Sequence, residues 1–200
     1  MFKIFYNQFK SAIVVLFAFT FLIGVIYTGA ITVFAQFLFP EKADGSLVVY
    51  KNKIIGSKLI GQYFSSPKYF WGRPSATGVF PYNPADSKGS NLGPTNPKLI
   101  TVIRERIEIL KKSDQENQQA IPIDLVTASG SGLDPEISPL AAVYQIHRVA
   151  KARNMNDKEV LAIVNANIQK RQFGFLGEPR VNVLKLNMAL DSWQEAKKKF

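Results

Sequence analysis

The longest apolar stretch of the chain lies near its N-terminus. Residues 11–39 contain no charged side chain and are rich in Phe, Leu, Ile and Val. Because roughly 20 helical residues cross the hydrocarbon core of a bilayer, this stretch is long enough to span it with tilt. We therefore predict a transmembrane helix over residues 11–39, preceded by a short cytoplasmic tail, residues 1–10. A secretory signal peptide cleaved after Ala35 is the alternative, but the apolar part of such a peptide is only about 7 to 15 residues long.

Small and weakly polar residues recur along one face of this predicted span. Thr20, Gly24, Thr28, Thr32 and Gln36 follow one another at intervals of four, and large apolar side chains cover the other faces. Helices associate in lipid through close packing of small residues and interhelical hydrogen bonds. The spacing therefore predicts a partner helix that docks on Gly24 and Thr28, although such residues are also tolerated in spans without a partner.

Positive charges flank the predicted span on both sides. Lys3 and Lys10 precede it, and several lysines follow it within about 20 residues. The N-terminal flank contains no acid, whereas Glu41 and Asp44 are mixed with the later lysines. Charge alone leaves the orientation open, and we expect the N-terminus inside the cytoplasm and residues 40–200 outside it.

Beyond the span, the apolar patterns predict one mixed domain of the α+β class. Residues 47–50 and 54–55 are rich in β-formers and flank a polar turn, which predicts a β-hairpin. Helix-start signals and helical apolar spacing predict about four helices. These helices cover residues 97–112, 138–153, 156–168 and 182 onward, and residues 121–127 favour a short strand.

A segment dense in Pro, Gly, Asn and Ser connects the hairpin to the first of these helices. Residues 65–97 contain six prolines together with five aromatic residues, among them Trp71 and Tyr82. Disordered linkers contain few aromatic residues, so we predict ordered loops whose rings pack on the domain. Trp71, Tyr82 and Asn91 are therefore candidates for docking a partner.

The charge of the domain is positive. Two of the 25 basic residues precede Pro40 and all 15 acidic residues follow it, so residues 40–200 carry 23 basic against 15 acidic side chains. Such a domain is attracted to anionic lipid headgroups. Because the basic residues are scattered and no aromatic-and-basic recognition module is apparent, nucleic acid is not expected as a partner.

The residues available for chemistry are few. The chain has no cysteine and a single histidine, His147, which excludes thiol chemistry and a cluster of histidine ligands. Residues 129–132 resemble a phosphate-binding turn but lack the Lys-Ser/Thr pair of a Walker loop, so a structural turn is favoured. We predict no catalytic residue and no metal site, with a weak acid-base alternative in Asp124 and Asp134.

Several longer motifs, taken together, resemble the small membrane-anchored C subunit of the bacterial Kdp potassium-transporting P-type ATPase. The resemblance covers nearly the whole chain. The motifs that carry it are Phe64, Tyr69-Phe70, Arg73-Pro74-Ser75-Ala76, Tyr82-Asn83, Gly89-Ser90-Asn91-Leu92-Gly93-Pro94, Asn96-Pro97, Asp124-Leu125-Val126-Thr127, Ser129-Gly130-Ser131-Gly132-Leu133-Asp134, Gln145, Arg148-Val149-Ala150 and Leu176-Gly177-Glu178-Pro179-Arg180-Val181-Asn182-Val183. Thr28 and His147 stand where this family usually has proline, so a proline kink after Tyr27 is not expected.

The resemblance implies an accessory, non-catalytic subunit in the bacterial cytoplasmic membrane. Its partners would be a potassium-channel-like subunit and an ATP-hydrolysing subunit, and its role would be assembly of the complex. The family has also been proposed to raise the ATP affinity of the catalytic subunit through a glutamine that resembles Gln145. That role conflicts with a domain outside the cytoplasm, and we favour the topology.

Two other readings of the sequence stay open. A membrane-anchored extracytoplasmic hydrolase could use Asp124, Asp134 or Glu178, and it would be active without partners. Alternatively, the loops could form a cap over the outer mouth of a pore. The accessory-subunit reading instead assigns Asp134, together with Trp71, Tyr82 and Asn91, to partner docking.

Overall fold

The computed structural model describes residues 2–197. It divides the chain into two compact units whose boundary in the sequence lies between Leu47 and Val48. The helices are α1 (Phe2–Phe21), α2 (Thr28–Leu38), α3 (Pro40–Ala43), α4 (Pro97–Ser113), α5 (Pro139–Tyr144), α6 (Ile146–Arg153), α7 (Asp157–Ala166) and α8 (Val183–Lys197). The strands are β1 (Leu47–Tyr50), β2 (Lys53–Ser57), β3 (Glu136–Ile137), β4 (Ile168–Gln169) and β5 (Arg180–Asn182). The order of elements confirms the predicted class, an N-terminal apolar helix followed by a mixed α/β domain.

The first unit is a continuous helical stretch, Phe2–Leu38, in which a π-helical segment, Leu22–Tyr27, joins α1 to α2. Among residues 2–197 it is the one helix that is long and apolar enough to cross a membrane. None of its residues is buried within the unit, so its apolar surface is available to lipid or to other helices. At its end, the Gln36 amide donates to the Asp44 carboxylate at 3.0 Å, which gives this residue a local partner.

The π-helical segment is stabilised by Thr28, which follows it directly. The backbone N–H of Thr28 contacts the Ile23 carbonyl, and the Thr28 hydroxyl donates to the same carbonyl at 2.7 Å. A π turn of this kind widens one turn of an otherwise α-helical stretch. The π-helical segment was not predicted, because its apolar residues do not differ in type from those of the α-helical residues on either side.

The predicted hairpin begins the second unit. Strands β1 and β2 form a two-stranded sheet, and the two residues between them, Lys51 and Asn52, have φ values of 49° and 61°. Positive φ at both central residues is the geometry of a type I′ turn, which matches the right-handed twist of a hairpin. The short polar turn read from the sequence therefore has the expected conformation.

A second, three-stranded antiparallel sheet has the order β3-β5-β4. Val181 in the central strand β5 pairs with Ile137 on one side and with Ile168 on the other. This sheet was not predicted from the sequence, because strands of two or three residues are too short to show alternation. Residues 121–127, predicted as a strand, contain a 3-10 turn instead (Ile123–Leu125), at whose end the Val126 N–H donates to the Ile123 carbonyl, three residues back, at 3.1 Å.

The predicted helix over residues 138–153 is two helices, α5 and α6, separated by Gln145. The N–H of Gln145 donates to the Ala142 carbonyl, three residues back, which tightens the backbone locally at φ −90° and ψ −4°. The helix starts were predicted correctly, because Asn96, Ser138 and Asn156 all accept a backbone N–H as N-caps.

The core of the second unit lies where α5, α6, α7 and α8 pack around β5. Phe70, from the proline-rich segment, is fully buried in it. Helix α4 lies at the periphery of this core, and Leu110 is its one buried residue. Arg106 of α4 is half-buried and donates to the Val126 carbonyl at 2.8 Å, and burial lowers the pKa of its guanidinium.

The single histidine lies in an acidic cluster. His147 Nε2 is 3.2 Å from the Glu116 carboxylate and 3.7 Å from Asp114, and His147 Nδ1 is 3.5 Å from Asp157. His147 is part-exposed, whereas Asp114 is buried. Burial alone would lower the pKa of His147, and the attraction of Asp114, Asp157 and Glu116 outweighs it, so the pKa is raised.

This arrangement predicts a stability that depends on pH. Because the pKa of His147 is higher in the folded chain than its ordinary value of about 6.5, its stabilisation is complete below that value and is lost as pH rises through the folded pKa. We expect the melting temperature of the full-length chain to fall between pH 6 and pH 8 relative to that of the His147→Gln variant. His147 is the only histidine, so superimposable pH profiles of the two proteins would contradict the assignment.

Candidate partner-docking surface

Two buried side-chain amides hold the middle of the proline-rich segment. Gln145, which is 1% exposed, accepts the N–H of Trp71 at 2.8 Å and donates to the carbonyl of Trp71 at 3.1 Å. Asn187 of α8, which is 2% exposed, makes the same pair of bonds to Phe70, at 2.8 and 3.0 Å. The two amides thus bond adjacent residues of one segment, Gln145 from the junction of α5 and α6 and Asn187 from α8.

The remaining hydrogen-bonding capacity of Gln145 is also used within the fold. Its Nε2 donates a second bond to the Ala141 carbonyl at 3.1 Å, and its Oε1 accepts from Arg148 at 2.5 Å. An amide side chain has two N–H donors and two acceptor lone pairs. In this conformation Gln145 therefore has no donor or acceptor left for a nucleotide, the contact implied by the family resemblance.

Arg148 holds the backbone just before Phe70 and Trp71. Its guanidinium donates to the carbonyls of Pro67 and Tyr69, at 2.7 and 3.0 Å, and lies 4.0 Å from the ring centroid of Trp71. Burial lowers the pKa of Arg148 to about 10, so the side chain stays charged at neutral pH. Arg153 acts in the same way further upstream, donating to the Lys68 carbonyl at 2.6 Å.

Trp71 is the docking candidate with an accessible ring. Its indole N–H donates to the Ser66 carbonyl at 3.1 Å, and the residue is half-buried. With Tyr63, Arg106 and Ile109 it lines a groove of about 320 Å³. This groove presents apolar and aromatic surface beside two arginines, Arg73 and Arg106, which is a composition typical of partner-contact surfaces.

Tyr82, the second aromatic candidate, faces inward. It is 7% exposed, its hydroxyl donates to the Arg73 carbonyl at 2.5 Å, and its backbone has a φ of 60°. Burial raises the pKa of the Tyr82 phenol to about 12. A Cβ atom on Gly72 would lie 2.6 Å from the Tyr82 hydroxyl oxygen, so glycine is required there. Tyr82 therefore supports the loops from within.

The other polar candidates differ in accessibility. Asp134 accepts from Arg73 at 3.0 Å with one oxygen and from the Glu136 N–H at 3.0 Å with the other, and it is part-exposed. Asn91 is exposed and has a φ of 51°, a left-handed conformation that Asn tolerates better than most residues.

The turn at residues 129–132 is structural, as the sequence favoured. The Gly132 N–H donates to the Ser129 hydroxyl at 2.9 Å, and the Gly132 carbonyl accepts from the Ser75 hydroxyl at 2.7 Å. Gly132 has a φ of 68°, and a Cβ there would lie 2.6 Å from the Thr77 side chain. The turn therefore packs against the proline-rich segment, an association across the chain that no local pattern in the sequence indicated.

The three carboxylates of the hydrolase alternative line one open groove of about 740 Å³. The Asp124 carboxylate accepts from the Ser138 N–H at 2.7 Å, and Glu178 accepts from Arg171 with both oxygens, at 2.7 and 2.6 Å. Asp134 is bonded as described above. Each carboxylate is thus engaged in a structural bond, and His147 does not line this groove.

The candidates in the first unit lie together at the π-helical segment. Gly24 is within it and Thr28 follows it directly. A Cβ added to Gly24 would meet no atom within 4 Å, so the space beside this residue is open.

The chain was compared with known protein families and proteins. The family model described as K+-transporting ATPase, c chain (KdpC) matches residues 9–192. This chain belongs to the KdpC family. The potassium-transporting ATPase KdpC subunit of Methylococcus capsulatus is 54% identical over 186 residues, which cover 93% of this chain and 98% of that protein. The KdpC subunits of Burkholderia orbicola and Dechloromonas aromatica are each 57% identical, over 86% and 84% of this chain and over 90% and 88% of their own lengths.

The family match confirms the resemblance drawn from the sequence motifs. Many KdpC-family motif residues, such as Arg73, Ser75 and Gln145, bond to one another or to the backbone between the loops. The family resemblance linked Gln145 to nucleotide contact, and its bonds to Trp71 were not predicted. The loop contacts of Arg148 and Asn187 were not predicted either. For Gln145 and Asn187, the available clue was an amide side chain on an otherwise apolar helix face.

We predict that Gln145 stabilises the fold through this network. Replacing it with leucine leaves the N–H and carbonyl of Trp71 without partners, and an unsatisfied buried polar group costs about 1 to 3 kcal/mol. The Gln145→Leu variant of the full-length chain should therefore lose about 2 to 5 kcal/mol of unfolding free energy in denaturant titrations. The exposed Gln115→Leu exchange is the matched control and should change it little. Unchanged stability of Gln145→Leu would show that the amide is not needed by the fold.

Proposed function

We propose that this chain is a non-catalytic accessory subunit of an ATP-driven potassium uptake complex, needed for assembly and stability of that complex. The match of the KdpC family model to residues 9–192 carries the proposal. The partners that follow are a potassium-channel-like subunit and an ATP-hydrolysing subunit. The bonding of Asp124, Asp134 and Glu178 within the fold favours this role over a hydrolase, because each carboxylate already bonds a group of the chain itself.

We further propose that the proline-rich loops form the docking surface of the second unit. Trp71 contributes apolar surface and Asn91 contributes exposed backbone and amide groups, with Asp134 at the edge where it bonds Arg73. Tyr82 holds these loops in shape from the interior. Preformed loops dock with little loss of conformational entropy, and the internal bonds of this segment give it that preorganisation.

An effect on ATP affinity, if the complex has one, is proposed to act through assembly and not through a bond from Gln145 to nucleotide. The observation that supports this is the saturation of the Gln145 amide by Trp71, Ala141 and Arg148. A nucleotide contact would require the loop at Trp71 to detach from Gln145 first.

The proposed location is the bacterial cytoplasmic membrane, with the N-terminus inside and the second unit outside. Because the chain has no cysteine, a single Ile123→Cys exchange provides one labelling site on an exposed side chain. We expect a membrane-impermeant maleimide to label it in intact spheroplasts, and a cysteine introduced at Lys3 to be labelled only after lysis. The reverse pattern would place the second unit in the cytoplasm.

The assembly role predicts a defect when the small-residue face of the span is filled. Gly24→Leu adds a side chain into space that is open within the chain, so it should leave the helix intact and weaken docking of a partner helix. We expect the tagged Gly24→Leu chain to retain less of the other subunits in a detergent pull-down, with a parallel loss of potassium-stimulated ATPase activity. Leu22→Ile, on another face, is the control.

Equal recovery of the complex with both variants would remove the docking face from the proposal. The same purification tests the hydrolase alternative, since the full-length chain separated from its partners should have no hydrolytic activity. Activity that is retained without partners, and lost in Asp134→Asn, would overturn the accessory role.

A further inference from the structure

A compact hairpin projects from the three-stranded sheet between β4 and β5. Gln172 and Leu176 pair across it, each donating its N–H to the carbonyl of the other at 2.9 Å. Below this pair, the Arg171 guanidinium bonds both oxygens of Glu178 at 2.7 and 2.6 Å. Residues 172–176 form the hairpin tip, whose shape is therefore fixed by backbone bonds and closed by an ion pair at its base.

The hairpin tip exposes large apolar side chains. Phe173 is 87% exposed and Phe175 is 70% exposed, and Leu176 beside them is also exposed. Gly174 between the two rings has a φ of 83°, and Phe173 itself has a φ of 52°. Tips of tight turns usually carry Gly, Asn, Asp or Ser, so the two phenylalanines are not explained by the turn. Clustered exposed apolar groups instead mark an interaction site.

The charges around the hairpin tip are mainly positive. Lys170 and Arg171 precede the tip and are exposed, and Arg180 follows it in β5. Arg171 is paired with Glu178 at 2.6 Å and Arg180 with Glu136 at 2.9 Å, which leaves Lys170 as the uncompensated positive charge beside the tip. Glu178 is the one acidic residue between positions 170 and 180. Aromatic and aliphatic tips flanked by basic residues are typical of protein segments that enter the interface of an anionic bilayer.

The chain itself keeps the bilayer close to this domain. The apolar helical stretch ends at Leu38, and strand β1 of the next unit begins at Leu47, so few residues separate the predicted span from the domain. Tethering raises the effective concentration of a second, weak membrane contact. The projecting shape also suits a bilayer surface, whereas apolar contacts that fit a protein groove are commonly made by helices or extended strands.

We infer that the hairpin tip is a second membrane-contact element of this chain. Phe173, Phe175 and Leu176 enter the boundary between headgroups and acyl chains, and Lys170 faces anionic headgroups. This contact is separate from the docking loops proposed above, and it does not depend on the other subunits.

The absence of cysteine from the chain allows a direct test with the full-length protein in lipid nanodiscs. A nitroxide is attached to Phe175→Cys, and, as the control, to Leu140→Cys at an exposed position of α5. In phosphatidylcholine discs containing phosphatidylglycerol, we expect the probe at 175 to be several-fold more accessible to oxygen, and less accessible to an aqueous nickel complex, than the probe at 140. The ratio of oxygen accessibility to nickel accessibility at position 175 should fall in the Lys170→Glu background.

Other outcomes would overturn the inference. Equal aqueous accessibility at both positions would exclude insertion. Protection of the probe at 175 only when the other subunits of the complex are present would assign the hairpin tip to a protein pocket. Insertion to the same depth in discs of phosphatidylcholine alone would overturn the part assigned to Lys170. Thermal unfolding of each labelled variant, compared with that of the unmodified chain, verifies that the fold is retained.

Discussion

The loop structure of the second unit depends on two side-chain amides, which form the backbone hydrogen bonds that a neighbouring strand would form in a sheet. Phe70 and Trp71 lie outside any strand, in a segment rich in proline. Asn187 and Gln145 supply one donor and one acceptor to each residue. Without them, four backbone groups would lie in or beside the core unpaired, and each such group is costly. The burial of Phe70 and the position of the Trp71 ring both follow from these bonds.

On either side of Phe70 and Trp71, further side chains hold the loops. Arg148 and Arg153 hold the chain upstream through its carbonyls, and Tyr82 and Ser75 hold it downstream. The turn at residues 129–132 then closes over Ser75. In this surface of irregular segments, charged or amide side chains take the place of strand partners and satisfy the backbone. A conformation held in this way suits a docking surface whose recognition relies on shape.

Local signals in the sequence predicted the elements whose causes are local. The apolar helix, the I′ hairpin at Lys51 and Asn52, and the capped starts of α4, α5 and α7 were all predicted, since composition and capping residues determine them. The family was also predicted, because its motifs are short contiguous stretches that can be recognised directly in the sequence. The three-stranded sheet, the interruption at Gln145 and the inward orientation of Tyr82 were not predicted. The sheet joins strands far apart in the chain, and Gln145 bonds a distant loop. Tyr82 is held by Arg73 and Ser75, which are nearby in the chain but lie in irregular backbone without a periodic pattern. Gln145 lies 74 positions from Trp71, and Asn187 lies 117 positions from Phe70.

Those long separations also set an order of events during folding. Contacts between residues distant in sequence form slowly, because closing a long loop reduces chain entropy before any bond compensates for it. The backbone bonds of Phe70 require Asn187, which belongs to α8. In a nascent chain that has not yet reached α8, the N–H and carbonyl of Phe70 therefore have no side-chain partner. The loop surface is therefore completed only after α8 has been made, so a chain interrupted before α8 would retain its apolar anchor and lack a finished surface to present.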